Sequence, residues 1–326
     1  MLKQLKKIDF FIPALLAAIL VAKLFPQPAN YEGPITLDLI CEIGIVLVFL
    51  FYGIKINPNR LKEDLGNWKL HLLVQFSTFV LFPLIVLPFT LFFKGHDSYL
   101  LWLGAFFLAS LPSTVSSSVV LVSIAKGNIP GAIFNSSLSS LIGIFITPLW
   151  MGIVITSGND TASAELVDII KKLVIQILTP IALGFFLNRY FGKWAGRNAS
   201  LLKLFDQSVI LLVIYLSFAH SFSNNQFQLV AVIDIIMVVF FCLLLLFIVY
   251  RIMSFICKLL KFNREDTITA QFSGSKKSLV HGTVMSTVFF AGMAGVGVIL
   301  LPLMIFHATQ IIIIGIIAQK KAREVD

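Results

Sequence analysis

Charge is what this 326-residue chain has least of. Only 13% of its residues are Asp, Glu, Lys or Arg, and 58% are hydrophobic, whereas a soluble domain is about one-quarter charged. So little polar surface cannot coat a particle in water, which excludes a soluble fold and leaves an integral membrane protein. Cysteine is equally scarce. Cys41, Cys242 and Cys257 each sit in an apolar run, so there is neither a disulfide framework nor a Cys-x-x-Cys metal spacing. The histidines (His71, His96, His220, His281 and His307) are dispersed, which argues against a metal cluster, and only His281 lies near an unusual stretch. There is no His-Glu-x-x-His and no phosphate loop, and Gly295-Val-Gly297 lacks both a third glycine and a preceding strand. No nucleophile–base pair stands out, so an enzyme is not expected. Asn159-Asp160-Thr161 is a glycosylation triplet of a kind that chance produces often.

What the chain has is long apolar runs. A helical span needs about 20 mostly apolar residues, and ten stretches qualify: 9–25, 34–54, 69–93, 98–125, 130–157, 170–190, 205–223, 229–252, 267–290 and 296–319. The first follows Lys3, Lys6 and Lys7 and resembles a signal peptide, but the charge pattern requires it to stay as a span. The formal net charge of +9 would suit a nucleic-acid partner, yet the basic residues lie scattered between apolar stretches, so none is expected. They read instead as topology. With both termini in the cytoplasm, nineteen of the twenty-five Lys and Arg fall on inner connections. Lys23, Lys94, Lys171 and Lys172 fall outside, while Lys276 and Lys277 lie within a span. This is the positive-inside bias.

The halves echo each other. Lys6-Lys7…Pro13-Ala14-Leu15 is matched by Lys171-Lys172…Pro180-Ile181-Ala182, pairing span one with span six. Five spans per half is an odd number, so residues 165–326 should lie inverted relative to residues 1–157 within a single transmembrane unit. Spans four and nine then correspond, and both look wrong for ordinary helices. Span four carries Pro112, which removes a backbone donor, followed by the hydroxyls of Ser113, Thr114, Ser116, Ser117 and Ser118. Span nine carries Gly274 as a break and two lysines, Lys276 and Lys277, at mid-span depth. Charge there is costly unless it faces a cavity or partner, and interrupted helices at matching positions of inverted halves mark a transport site. Single serines in membrane helices often only pack helices together, and a lysine near a span's end commonly snorkels. Span five places Gly131, Asn135 and Ser139 on one face, with Ser136 and Ser140 beside it. Glu42, one turn after Asp38, is expected either as a proton carrier or counter-ion for Lys276, or as a carboxylate reached by water at the outer end of its span.

At Leu111-Pro-Ser-Thr-Val-Ser-Ser-Ser-Val-Val, Ala125-Lys-Gly-Asn128, Thr147-Pro148 and Gln271-Phe-Ser-Gly-Ser-Lys-Lys-Ser-Leu279, the chain resembles the bile acid:sodium symporter family. The likeness is strongest to the sodium bile acid cotransporter-like branch that carries the Ser-Lys-Lys stretch, and it runs over nearly the whole chain. The resemblance implies ten helices in two inverted five-helix repeats, a core and a panel domain, and crossing helices four and nine. It implies one sodium at Ser117, Ser118, Gly131, Asn135 and Gln271, and a second at Gln271, Phe272, Gly274, Gln75 and Ser275. The sequence departs from that pattern: the family's helix-nine carboxylate is Gln271, a serine is Gly131, and lysine stands beside the site. An amide for a carboxylate and an added ammonium both weaken a sodium site.

The expectation is thus a secondary transporter of a small organic anion in a bacterial-type inner membrane, working by alternating access, with Na+ coupling in doubt and protons as the alternative. A non-transporting regulator of ion homeostasis on the same fold is the rival reading. The binding residues expected are Ser113, Thr114, Ser116, Ser117, Ser118, Asn135, Ser139, Gln75, Gln271, Ser273, Ser275, Lys276 and Lys277. Lys276 is expected to stand where a sodium ion would, donating to Ser117, Ser118, Asn135 or freed carbonyls.

Overall fold

The computed structural model describes residues 11–31, 33–55, 66–114, 116–155, 171–172, 174–293 and 295–324. The Asn159 connection and the basic residues at 3, 6, 7, 60 and 62 lie outside these. Among the described residues every regular element is a helix, as hydrocarbon demands of a chain whose backbone groups must bond internally. In chain order the helices are α1 (Phe11–Leu24), α2 (Leu37–Lys55), α3 (Trp68–Phe92), α4 (Tyr99–Ser110), α5 (Ser116–Ile124), α6 (Ile129–Ile155), α7 (Val174–Arg197), α8 (Ala199–Ser223), α9 (Val232–Leu259), α10 (Arg264–Gly274), α11 (Leu279–Phe289) and α12 (Val296–Arg323). Seven of them, α2, α3, α6, α7, α8, α9 and α12, are long and apolar enough to cross a bilayer. The chain is a multi-pass membrane protein.

The two stretches singled out as irregular are each split in two. α4 stops at Ser110, and Leu111 is extended (φ −71°, ψ 155°), because Pro112 has no N–H to continue the ladder. α10 stops at Gly274 and α11 starts at Leu279, leaving Ser275–Ser278 outside both helices. A Cβ at Gly274 would meet Met253 Cε at 2.6 Å, so a side chain there would displace the end of Met253.

The helices form two compact units, each drawing on both halves of the sequence. One comprises the described residues of 1–56, 173–229 and 283–298. In it α2 and α7 pack closely through small residues: a Cβ at Gly53 would strike the Ile181 carbonyl, and one at Gly184 the Leu50 carbonyl. This is the small-residue contact by which membrane helices gain dispersion without a hydrophobic driving force. Asn188 Nδ2 donates to Ile54 O at 2.6 Å, Lys55 pairs with Asp206 at 2.9 Å, and Tyr215 Oη donates to Phe25 O at 2.8 Å. Glu42 belongs to this unit, exposed on α2.

The other unit comprises the described residues of 57–172, 230–282 and 299–326. Its apolar part includes Trp102 stacked on Phe93 (4.6 Å between ring centres) and edge-on to Phe241 (5.0 Å). Ile299 lies so close to Gly104 that a Cβ there would strike its carbonyl. Yet this unit also buries Ser77, Thr78, Ser110, Ser113, Ser118, Asn135, Ser139, Gln271, Ser273, Ser275, Lys276, Lys277 and Gln310. Polar groups are buried without loss only where they bond to one another, and the two helix breaks supply those bonds.

Candidate functional site

A helix that stops inside a membrane leaves its last carbonyls without partners. At the end of α4 almost every one is met. Phe107 O accepts from Ser110 Oγ (2.8 Å) and Leu108 O from Leu111 N (3.3 Å). Ser110 O accepts from Thr147 Oγ1 (2.8 Å) and Pro112 O from Ser278 N (2.9 Å). The remaining two, Ala109 O and Leu111 O, accept from Lys277 Nζ at 2.6 and 2.8 Å.

The third proton of that ammonium goes to Thr78 O at 2.6 Å, and the sequence explains why this carbonyl is free. Ser77–Leu81 is a π turn within α3, in which Phe82 N donates to Ser77 O. Thr78 O would next take the N–H of residue 83, which is Pro83 and has none. The ammonium also lies over the Phe82 ring, 4.3 Å from its centre. Lys277 therefore spends all three donors on backbone oxygens, at the negative end of the α4 dipole and against an aromatic face. Its own backbone is held by one side chain: Lys277 N donates to Gln310 Oε1 and Gln310 Nε2 to Lys277 O, both at 2.8 Å. The same Nε2 lies 3.0 Å from His307 Nδ1.

The two breaks are tied to each other. Besides the bond from Ser278 N to Pro112 O, Ser113 Oγ donates to Ser273 O at 2.6 Å, and Ser113 N donates to Ser139 Oγ at 2.9 Å. Ser77 Oγ donates to Gly274 O (2.7 Å), and Ser275 Oγ donates to Gln271 O (2.5 Å). The expected residues Ser113, Ser139, Ser273, Ser275 and Lys277 are thus brought together, mainly as donors and acceptors that close the crossing.

Lys276 is placed differently from expectation. It is fully buried, with no hydrogen-bond partner for Nζ, and does not donate to Ser117, Ser118 or Asn135. The arrangement expected of it belongs to the next residue. His307 lies within its electrostatic reach. Ser118 Oγ and Ser273 Oγ are likewise buried without partners. Thr114 Oγ1 and Ser117 Oγ are 3.3 Å apart; the Ser116 side chain lies outside the described set.

Most of the residues matched to sodium ligands are already bonded to one another or to neighbouring helices. Asn135 Nδ2 donates to Gly131 O (2.9 Å) and contacts His71 Nδ1 (3.0 Å). Its Oδ1 and O both accept from Gln75 Nε2, at 3.3 and 3.1 Å. Gln271, where the carboxylate would stand, turns to α9: Tyr250 Oη donates to its Oε1 (3.2 Å) and its Nε2 donates to Ser254 Oγ (2.7 Å). Of this set, Gln75 Oε1 and Ser118 Oγ are left buried without a partner. With an amide for the carboxylate and its oxygens engaged by donors, this set fits a bound Na+ poorly.

Below the crossing, Asp266 joins two elements: its Oδ2 accepts from Asn67 Nδ2 (2.9 Å) and its Oδ1 from Asn128 Nδ2 (2.8 Å). Thr269 Oγ1 donates to Asn128 O at 2.9 Å. Sequence reasoning missed Thr78, His71, Tyr250, Asp266, His307 and Gln310. Pro83 was the available signal for Thr78, and the His307-x-x-Gln310 spacing on one helix face was the signal for the other two.

The two helix breaks bond to each other backbone to backbone beside two buried lysines, and the family and relatives that the chain matches are membrane transporters. The chain belongs to the SBF-like CPA transporter family, which it matches over residues 9–323. It is 36% identical to PA2026 of Pseudomonas aeruginosa over 318 residues, 98% of this chain and 94% of that one. YfeH of Escherichia coli, a candidate symporter by name, is 33% identical over 325 residues (100% and 96%). Sodium/bile acid cotransporter 7 of Xenopus tropicalis is 30% identical over 321 residues (96% and 91%).

Proposed function

We propose that this protein is a secondary transporter of a small organic anion, working by alternating access and without sodium as its coupling ion. The reading includes ten spans in two inverted five-helix repeats, residues 1–157 and 165–326, set in a bacterial inner membrane with both termini cytoplasmic. α4 with α5, and α10 with α11, serve as the two broken spans. The observation that carries the proposal is the Lys277 ammonium, which bonds three backbone carbonyls at the crossing. Oxygen cages of this kind suit a small hard cation; here the cation is covalently tethered. A permanent positive charge removes the need for a mobile one, and it accords with an amide at Gln271.

Lys276 is then the substrate's charge partner. A buried ammonium with no acceptor is costly in hydrocarbon, and an arriving carboxylate or sulfonate supplies the acceptor. Ser118 and Ser273 offer further donors to the same anion. A proton carried on Lys276 would travel with the anion and keep the pair neutral. The name of the vertebrate relative speaks of sodium and bile acid, and the anionic part of that description fits these lysines better than the sodium part. Thermal-shift screening of the purified protein against organic acids, in sodium and in choline buffers, tests the proposal. Stabilisation by one class of anion, equal in both buffers and lost in Lys276→Ala, is the expected result. Stabilisation by sodium alone, or by no anion, would contradict it.

A further inference from the structure

α9 and α12 leave a groove of about 390 Å³ between them. Its walls are apolar, including Leu243, Phe247, Ile313 and Ile317, as expected of helix faces turned to acyl chains. Its mouth is not. Arg251 on α9 meets Lys320 and Lys321 on α12 there, with Glu324 as the single acidic group. Three cations and one anion leave the mouth net positive. The Arg251 guanidinium is held over the Phe247 ring, 4.9 Å from its centre, so its orientation is already fixed where the apolar wall ends. From Leu243 to Arg251 on α9, and from Ile313 to Lys320 on α12, the chain runs from apolar wall to basic mouth in about two helical turns. A long slot of hydrocarbon under a basic rim matches an amphiphile with an acidic head, and matches neither a soluble anion nor a zwitterion.

We propose that this groove is a binding site for an anionic phospholipid, its phosphate at Arg251, Lys320 and Lys321 and one acyl chain along the α9–α12 walls. Basic pockets between membrane helices on the cytoplasmic side recognise acidic headgroups in this way. The site has a route to the crossing. Tyr250 lines the same groove, and its hydroxyl donates to Gln271 Oε1 at 3.2 Å. A lipid seated against Tyr250 holds that hydroxyl in place and with it the amide at the end of α10. The lipid is thus a stabiliser of the crossing as well as a surface ligand.

The test counts bound lipid and does not depend on transport, so it stands or falls apart from the transport proposal. The full-length protein is delipidated in detergent and titrated with phosphatidylglycerol or with phosphatidylcholine of the same chain length, bound lipid being counted by native mass spectrometry. Phosphatidylglycerol is expected to bind the more tightly, and Arg251→Gln and Lys321→Gln are each expected to weaken it about fivefold. Ile317→Trp, which fills the groove without altering charge, is expected to abolish the preference. Each variant is measured only if its unfolding midpoint in phosphatidylcholine equals that of wild type; Lys320→Gln, at an exposed position, replaces any that fails. Equal retention of the two lipids, or phosphatidylglycerol binding unchanged in Ile317→Trp, would overturn the proposal. Displacement of the lipid by inorganic phosphate would also overturn it, assigning the basic rim to a free anion.

Discussion

Lys276 and Lys277 are neighbours of the same type and depth, and the structure gives them opposite surroundings. The ammonium of Lys277 is saturated, while that of Lys276 has no partner. Replacing Lys277 with Met leaves three buried carbonyls without donors. The expected loss of stability is about 3 kcal/mol or more, read from the unfolding midpoint in detergent. Lys276→Met should cost little or nothing and abolish anion binding, since it removes an unsatisfied donor rather than a bond. If the two variants lose stability equally, the division of roles is wrong. A second expectation concerns the tethered cation. Lys277→Ala combined with Gln271→Glu frees the carbonyls and supplies a carboxylate, so sodium should then stabilise the double variant and not the wild type. Isothermal titration of the double variant with sodium checks this. That two lysines lie deep in an apolar stretch was legible. How each is bonded was not: it depends on where three carbonyls from two other helices point, and sequence spacing carries no such information.

The broken helices were legible at the level of elements because proline and glycine act locally. Pro112 and Gly274 stop helices where their chemistry predicts, and most helix limits fall within a few residues of the apolar runs. Three differ more. α7 continues to Arg197, past the run ending at 190. α8 begins at Ala199, ahead of the run at 205, and α9 continues to Leu259, past the run ending at 252. In all three the added turns carry lysine or arginine, which a hydropathy reading trims but a helix extending beyond the hydrocarbon tolerates. The π turn at Ser77–Leu81 was not read, although Pro83 lies just beyond it. The packing of α2 on α7 gives a prediction at this scale. Gly184→Leu forces the two helices apart and should lower stability by about 1–3 kcal/mol. Leu183→Ala, at an exposed neighbour, should change it little. Unfolding midpoints of the two variants decide the matter, and equal effects would mean the contact is unimportant.

For the whole molecule, composition alone was enough to place the chain in a membrane, and the scatter of Lys and Arg proposes an orientation. With introduced cysteines in a background lacking Cys41, Cys242 and Cys257, position 94 should be labelled from outside the cell and position 261 only after permeabilisation. Labelling of both from outside would remove the inverted-repeat proposal. The site's residues were legible as a set of polar groups at two breaks, because buried polarity in so apolar a chain is conspicuous. Their roles were not, since most of them serve to satisfy backbone ends and only geometry separates that service from ligand binding. The claim on which the functional account turns is that the positive charge at the crossing is built in. Uptake of the stabilising organic anion into proteoliposomes, measured with sodium and then with choline at equal ionic strength, tests it most directly. The account predicts the same initial rate in both. Uptake that falls to background in choline and returns in proportion to added sodium would contradict it.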